Sequence, residues 1–349
     1  MHTMSSKWKN FKTIYIFLIF LSVVSILMSV CLGAVTISPA KTFGIILRVL
    51  TKDLIDIAGD VSLVQERIVM ELRLPRVLLG FVVGASLSTA GVAMQAMVRN
   101  ELADPFILGV SSGASCFATL GMIFGVFSFL GTYALPMSAF LGAACSIMIV
   151  YLISRVNGKV VITQLLLSGV VVAMIFEGVT KIITISAPNA LGLHNAEFWM
   201  SGSLANTKWS FLTLPTITMI ICISYLLINY RMLNSLLLGE AAASTIGINV
   251  RRSQKMLILI TSLLAGVTIS VSGTIGFVGL ICPHFSRLLV GGDHRKMLPL
   301  SALIGGILVV WTDVLARILI APEELPIGVL TSILGGPFFI MMLKRNRKH

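Results

Sequence analysis

Residues 75–97, PRVLLGFVVGASLSTAGVAMQAM, carry a single charge, Arg76, next to the proline that opens the run. A helix needs about 20 consecutive apolar residues to cross the hydrocarbon core of a bilayer. In lipid the backbone N–H and C=O groups must find partners within the segment, which a helix provides. The run therefore reads as a membrane-spanning helix, with Pro75 in the first turn, where no backbone hydrogen bond is lost. Its glycines and small hydroxyl residues suit close packing against other helices.

The rest of the 349-residue chain follows the same pattern: 56% of its residues are hydrophobic, 11% are charged and its mean hydropathy is +0.98. Soluble domains carry roughly 25% charged residues, so too few charges are present to cover a water-facing surface. Ten candidate spans are predicted at 13–34, 75–97, 107–127, 132–154, 162–186, 210–229, 256–274, 275–290, 299–318 and 327–343. The expected fold class is an all-α polytopic membrane protein forming one transmembrane unit over 1–349, with 13–343 as its membrane-spanning region. The basic N-terminus followed by an apolar run imitates a signal peptide, but the run exceeds the roughly 7–15 residues of such a segment and is read as a retained first span. Cys31, Cys116, Cys145, Cys222 and Cys282 lie in or beside apolar runs without a CxxC pair, so neither a metal site nor a disulfide framework is expected.

Positive residues favour the cytoplasmic side. With both termini cytoplasmic, the inner segments hold 17 of the 26 Lys and Arg residues and four of the 14 acids, a balance of +13, and the outer side holds −1. The net +12 is thus a topology signal, and nucleic acid is not needed to explain it. The same count places 236–255, LLLGEAAASTIGINVRRSQK, in the cytoplasm. GEAAASTI favours a helix, Gly247 offers a stop and Asn249 can cap VRRSQK, so the stretch is expected to form two short helices. Its small-sided face suits insertion into a groove on another protein; a solvated loop is the alternative.

GASLSTAG (84–91) and GVTISVSG (266–273) share glycines seven apart in spans of opposite direction, the pattern of an inverted internal repeat; plain helix packing would also explain the glycines. No phosphate loop, catalytic triad or histidine metal helix is present, so no catalytic residue, bound cofactor or metal site is assigned, and any ATP-driven step requires another polypeptide. Ionisable groups within spans need a reason. Asp313 and Arg317, and likewise Glu177 and Lys181, stand four apart and can pair. No series of acids crosses the midplane, which disfavours ion coupling. Arg73 and Arg76 flank Pro75 at an outer helix start, the end of the dipole that repels cations. Either acidic groups on a docking partner or lipid phosphates would account for them.

Four stretches together resemble the FecCD-type permease subunits of ATP-binding-cassette importers for ferric siderophores, haem and vitamin B12. They are RLPRVLLGFVVGASLSTAGVAMQAMVRNELADPFILGVSSGA (73–114), LLLGEAAASTIGINV (236–250), GTIGFVGLICPHFSRLLVGGDHRKMLPLSALIGG (273–306) and DVLARILIAPEELPIGVLTSILGGPFFIMML (313–343). The resemblance covers most of the chain after about residue 60. It implies ten spans per subunit in the cell membrane and a second permease subunit, either another copy or a paralogue. It also implies two ATPases holding ATP and magnesium, and an extracytoplasmic binding protein. It assigns Arg73, Arg76 and Arg317 to binding-protein docking. Gly239, Glu240, Ala241, Ala242, Ala243, Ser244, Thr245, Gly247 and Asn249 fall to ATPase coupling. The family gate would fall at Ile162 and Thr163, where Ile162 departs from the family's hydroxyl residues.

The expected function is a non-catalytic permease passing a metal chelate, with ferric siderophore as cargo and haem or vitamin B12 as alternatives. An ion-coupled secondary transporter and a receptor-like membrane protein that transports nothing are the competing classes.

Overall fold

The computed structural model describes residues 2–33, 35, 37–51 and 62–346. Ten helices correspond to the ten expected spans: α1 (His2–Cys31), α4 (Leu74–Val98), α5 (Val110–Phe124), α6 (Ala134–Ile153), α7 (Ile162–Ile185), α9 (Thr213–Ile228), α12 (Val250–Ser272), α13 (Val278–Val290), α14 (His294–Ile318) and α15 (Ile327–Asn346). Seven described stretches are long and apolar enough to cross a membrane; α5, α13 and the apolar part of α15 are shorter. Between them lie α2 (Pro39–Leu50), α3 (Leu63–Arg67), α8 (Ala190–Met200), α10 (Tyr230–Leu237) and α11 (Glu240–Thr245). A two-strand hairpin, β1 (Arg155–Val156) with β2 (Lys159–Val160), turns through Asn157–Gly158, both at positive φ, the backbone an Asn-Gly turn favours. Arg347 and Lys348, counted above with the inner charges, lie outside the described residues.

The 75–97 run forms the centre of the bundle. α4 is buried along nearly its whole length and packs against α12, α13 and α14. Its small residues make this possible. A Cβ on Gly84 would sit 2.1 Å from the Gly305 carbonyl oxygen on α14, and one on Gly91 would sit 2.0 Å from that of Gly279 on α13. The backbones meet where a methyl group cannot fit. Ser88 adds a hydrogen bond to the Ser301 carbonyl at 2.7 Å.

The packing repeats. The first set is α4–α5–α6–α7 and the second α12–α13–α14–α15. α4 packs on α14, the third helix of the second set, and α12 packs on α6, the third of the first. Each set contains a short helix entered through a left-handed residue, Gly109 (φ 73°) before α5 and Phe277 (φ 67°) before α13. The sets begin at the second and seventh spans, which run in opposite directions.

Two stretches between spans differ from expectation. Residues 186–210, left by the spans as the connection between the fifth and the sixth, contain α8, with Trp199 buried and the Met200 carbonyl accepting the Thr274 hydroxyl. VRRSQK is not a separate short helix: the Asn249 side chain accepts from Arg252 N at 3.0 Å and starts α12, which runs unbroken to Ser272. The basic cluster is polar by composition, but nothing in it ends a helix.

Candidate functional site

Three groups of residues lie along the molecule from its outer end to its cytoplasmic end.

The outer group forms where α14 ends and α3 passes into α4. The helix start expected at Pro75 is not one: Leu63 to Val98 is helical throughout, through a π-helical turn at Ile68–Arg73, so Arg73 and Arg76 stand inside a longer helix and not at the positive end of its dipole. Arg76 donates from Nε to Asp313 Oδ1 at 2.9 Å, with Nη2 2.8 Å from the same oxygen. Its Nη1 reaches both oxygens of Glu324 at 2.9 Å. Arg317 approaches Asp313 Oδ2 at 3.1 Å, the pair that their four-residue spacing allows. Arg317 also donates to the Leu32 carbonyl at 2.9 Å and to the Ser29 hydroxyl at 3.0 Å. Arg73 donates to the carbonyls of Val30 and Cys31 at 3.1 and 3.0 Å, and to that of Val35. Arg73 and Arg317 thus satisfy carbonyls at the C-terminal end of α1, where a helix dipole favours cations.

The structure brings the three arginines together but turns them inward: Arg73, Arg76 and Arg317 are 7%, 7% and 4% exposed. The chain itself supplies acceptors for all three. Spacing alone did not reveal Glu324, which comes from the turn after α14 and whose side chain is one-third exposed.

Below this group two cavities adjoin. One, of about 740 Å³, is lined by His194, Glu197, Ser201, Glu323 and Glu324 among others. It shares Glu197 and Ser201 with a larger one of about 800 Å³. The larger cavity is walled by Ser111, Ser112 and Ser115 of α5, Glu177, Thr180, Lys181 and Thr184 of α7, and Ser332 of α15. Glu177 and Lys181 face this larger cavity and form no salt bridge with each other among the described residues. The lining offers many hydroxyls, two carboxylates and one ammonium, with no His, Cys or Tyr. Such a surface can hydrogen-bond a polar cargo and offers no imidazole, thiolate or phenolate to extract its metal.

Ile162 and Thr163 start α7, directly after the β1–β2 hairpin. Thr163 is exposed, and Ile162 packs against the main core. Along α7, Thr163 lies about 21 Å from Glu177 at 1.5 Å per residue, so one helix joins the gate position to the cavity.

The cytoplasmic group is built on α10. Met232, Leu233 and Leu236 are buried, and α10 rests on α4 and α14. Asn234 ties it to the start of α14, donating to Asp293 Oδ1 at 2.9 Å and accepting from His294 N at 2.9 Å. Gly239, at φ 104°, turns the chain into α11. Glu240 accepts from Gln254 of α12 at 3.0 Å. Ala243 is fully buried, whereas Glu240, Ala241, Ser244, Thr245, Gly247 and Asn249 are exposed and Ala242 is half-buried. Leu238 and Ile246, at 72% and 60% exposed, flank α11. In the sequence nothing sets them apart from the apolar residues of the neighbouring spans.

The FecCD transport family model matches residues 20–345. The hemin transport system permease protein of Yersinia pestis is 38% identical, covering 80% of this chain and 84% of its own. The Fe(3+) dicitrate transport system permease protein of Escherichia coli (strain K12) is 38% identical, covering 80% and 86%. A solved structure described as an inward-facing conformation of a metal-chelate type ABC transporter superposes with a TM-score of 0.82 at 29% identity, covering 96% of this chain and 99% of that one. The ten-helix fold, the motifs and these matches agree: the chain belongs to the FecCD transport family and is a multi-pass membrane protein.

Proposed function

We propose that this chain is the permease subunit of an ATP-driven importer and that its cargo is a ferric siderophore. ATP and magnesium are handled by separate ATPase subunits. Haem and vitamin B12 are the alternative cargoes. The observation that carries the cargo reading is the cavity of about 800 Å³, in which Ser and Thr hydroxyls are set among apolar side chains such as Phe106, Val329 and Ile333. Its lining suits a chelate that already encloses its metal and presents polar oxygens.

Helices α7 and α15 both line the cavity, and a second permease subunit, either another copy or a paralogue, completes the pathway. The arginine cluster is our candidate for docking an extracytoplasmic binding protein. Arg73, Arg76 and Arg317 are held internally, so docking works by exchange: an acid on the binding protein replaces Glu324 on Arg76. The segment from Gly239 to Asn249 is our candidate for ATPase contact. Ala243 seats it from beneath while its exposed residues face the partner. Ile162 and Thr163 are the candidate gate, at the far end of the helix that lines the cavity. ATP binding below would bias the permease between states through differential contact with this segment. Uptake of iron-labelled hydroxamate, citrate and haem complexes by vesicles containing the whole importer distinguishes the cargoes; haem alone being carried would overturn the siderophore assignment.

A further inference from the structure

A second, separate groove runs between α6 and α12, away from the hydroxyl-lined cavity. It encloses about 350 Å³. Its walls are Phe140, Ile147, Met148, Ile258, Leu259 and Leu263, and Gly266 lies at one end. At the other end stand Tyr151 and Lys255, with the Arg155 guanidinium 5.7 Å from the Tyr151 ring centroid. The groove is therefore apolar along its length and cationic at its mouth, on the side that charge counting places in the cytoplasm.

Its length is informative. Lys255 to Gly266 on α12, and Tyr151 to Phe140 on α6, each span about 16 Å at 1.5 Å per residue. That is close to half of the roughly 30 Å hydrocarbon core, the depth of one leaflet. A helix of another protein would need the full thickness, whereas the lining stops at Gly266, with the Phe140 ring beside it. Inside it, the Ser262 hydroxyl has no hydrogen-bond partner, although the residue is only 7% exposed. An unpaired buried hydroxyl is costly, and an ester oxygen from an occupant would satisfy it.

We propose that this groove binds an anionic phospholipid, one acyl chain lying between α6 and α12 and the headgroup phosphate held by Lys255 and Arg155. Lipid-facing apolar surface alone would not select a headgroup; the two cations at the mouth do.

The test uses the chain assembled with its partner subunits in phosphatidylcholine vesicles containing phosphatidylglycerol. A trace of either lipid carries a photoactivatable group in its acyl chain, and labelled peptides are mapped. The phosphatidylglycerol probe is expected to label α6 and α12 at least about fivefold more than the phosphatidylcholine probe, since a single basic residue already confers that preference at an anionic surface. Lys255→Gln should reduce this preference and leave labelling in place. Ala144→Phe, on the groove's lipid-exposed rim, should block labelling by both probes; Ala144→Leu serves if the larger residue prevents assembly. Equal labelling by the two probes, insensitivity to both substitutions, or a cross-link between two protein chains across the groove would each overturn the proposal.

Discussion

The Arg76 guanidinium lies 2.8 Å from the Asp313 carboxylate although 237 residues separate them. The contact joins α4 to α14 at the outer end of the bundle, and the other Asp313 oxygen faces Arg317. One buried acid thus bridges two buried cations. Removing it leaves Arg317 with no carboxylate and Arg76 with Glu324 alone, and breaking a buried ion pair in this way costs about 3–5 kcal/mol. Asp313→Ala should lower the thermal stability of the purified chain sharply, whereas Glu323→Ala, at the exposed turn, should not. Equal stability of the two variants would show that the cluster does not hold the helices together.

Glu324 is the exposed member of the same cluster. If a binding protein docks by replacing it on Arg76, then Glu324→Gln removes the internal competitor. Affinity for the binding protein should rise by up to about fivefold, the range of a partly exposed ion pair, and the gain should shrink at high salt. Unchanged affinity at low salt would leave the arginines as structural residues only.

Asp104 caps the turn before α5, accepting from Phe106 N at 2.8 Å. Burial raises its carboxyl from the ordinary 3.8 to about 6, against the lowering effect of that hydrogen bond. Between these values the folded chain binds a proton that the unfolded chain does not, so folding is favoured at low pH and weakens as pH rises toward 6. Asp104→Asn keeps an acceptor for the cap without the buried charge. It should be more stable than the parent at pH 7.5, by about 1–3 kcal/mol, and lose the pH slope between 4 and 6. A variant less stable than the parent at pH 7.5 would mean that the ionised carboxylate is required.

Leu238 and Ile246 flank the cytoplasmic segment and face outward, while Ala243 faces in. Leu238→Asp and Ile246→Asp should each weaken association with the ATPase by about tenfold or more, since burying one such side chain contributes about 1.5–3 kcal/mol. Neither change should affect folding. Ala243→Phe should instead unseat α11 and lower stability. Full ATPase association by both aspartate variants would move the contact elsewhere.

Most of this fold was legible in the sequence because lipid imposes a simple rule: each apolar run long enough to cross must be a helix. The 75–97 run, the ten spans and the Asp313–Arg317 spacing all follow from it. The packing of α4 on α14 and α13 was only hinted at by the glycines, since a glycine is equally at home in a turn. Helix α8 was missed because its polar and aromatic residues, 190–200, give no clear period. The inward orientation of Arg73, Arg76 and Arg317 was not legible. It depends on carbonyls at the end of α1 and on Glu324, groups far away in sequence that only folding brings close. The exposed leucines of the cytoplasmic segment were hidden for the opposite reason, since composition cannot separate a leucine facing lipid from one facing a protein.

On the proposed function, this chain passes a metal chelate inward, driven by ATPases acting on the segment from Gly239 to Asn249. The most direct measurement is uptake of iron-labelled siderophore into vesicles holding the permease, its ATPases and the binding protein. Uptake should require ATP and all three components and fall sharply with Ile246→Asp. Uptake that proceeds without ATPases, driven by an ion gradient, would contradict that function.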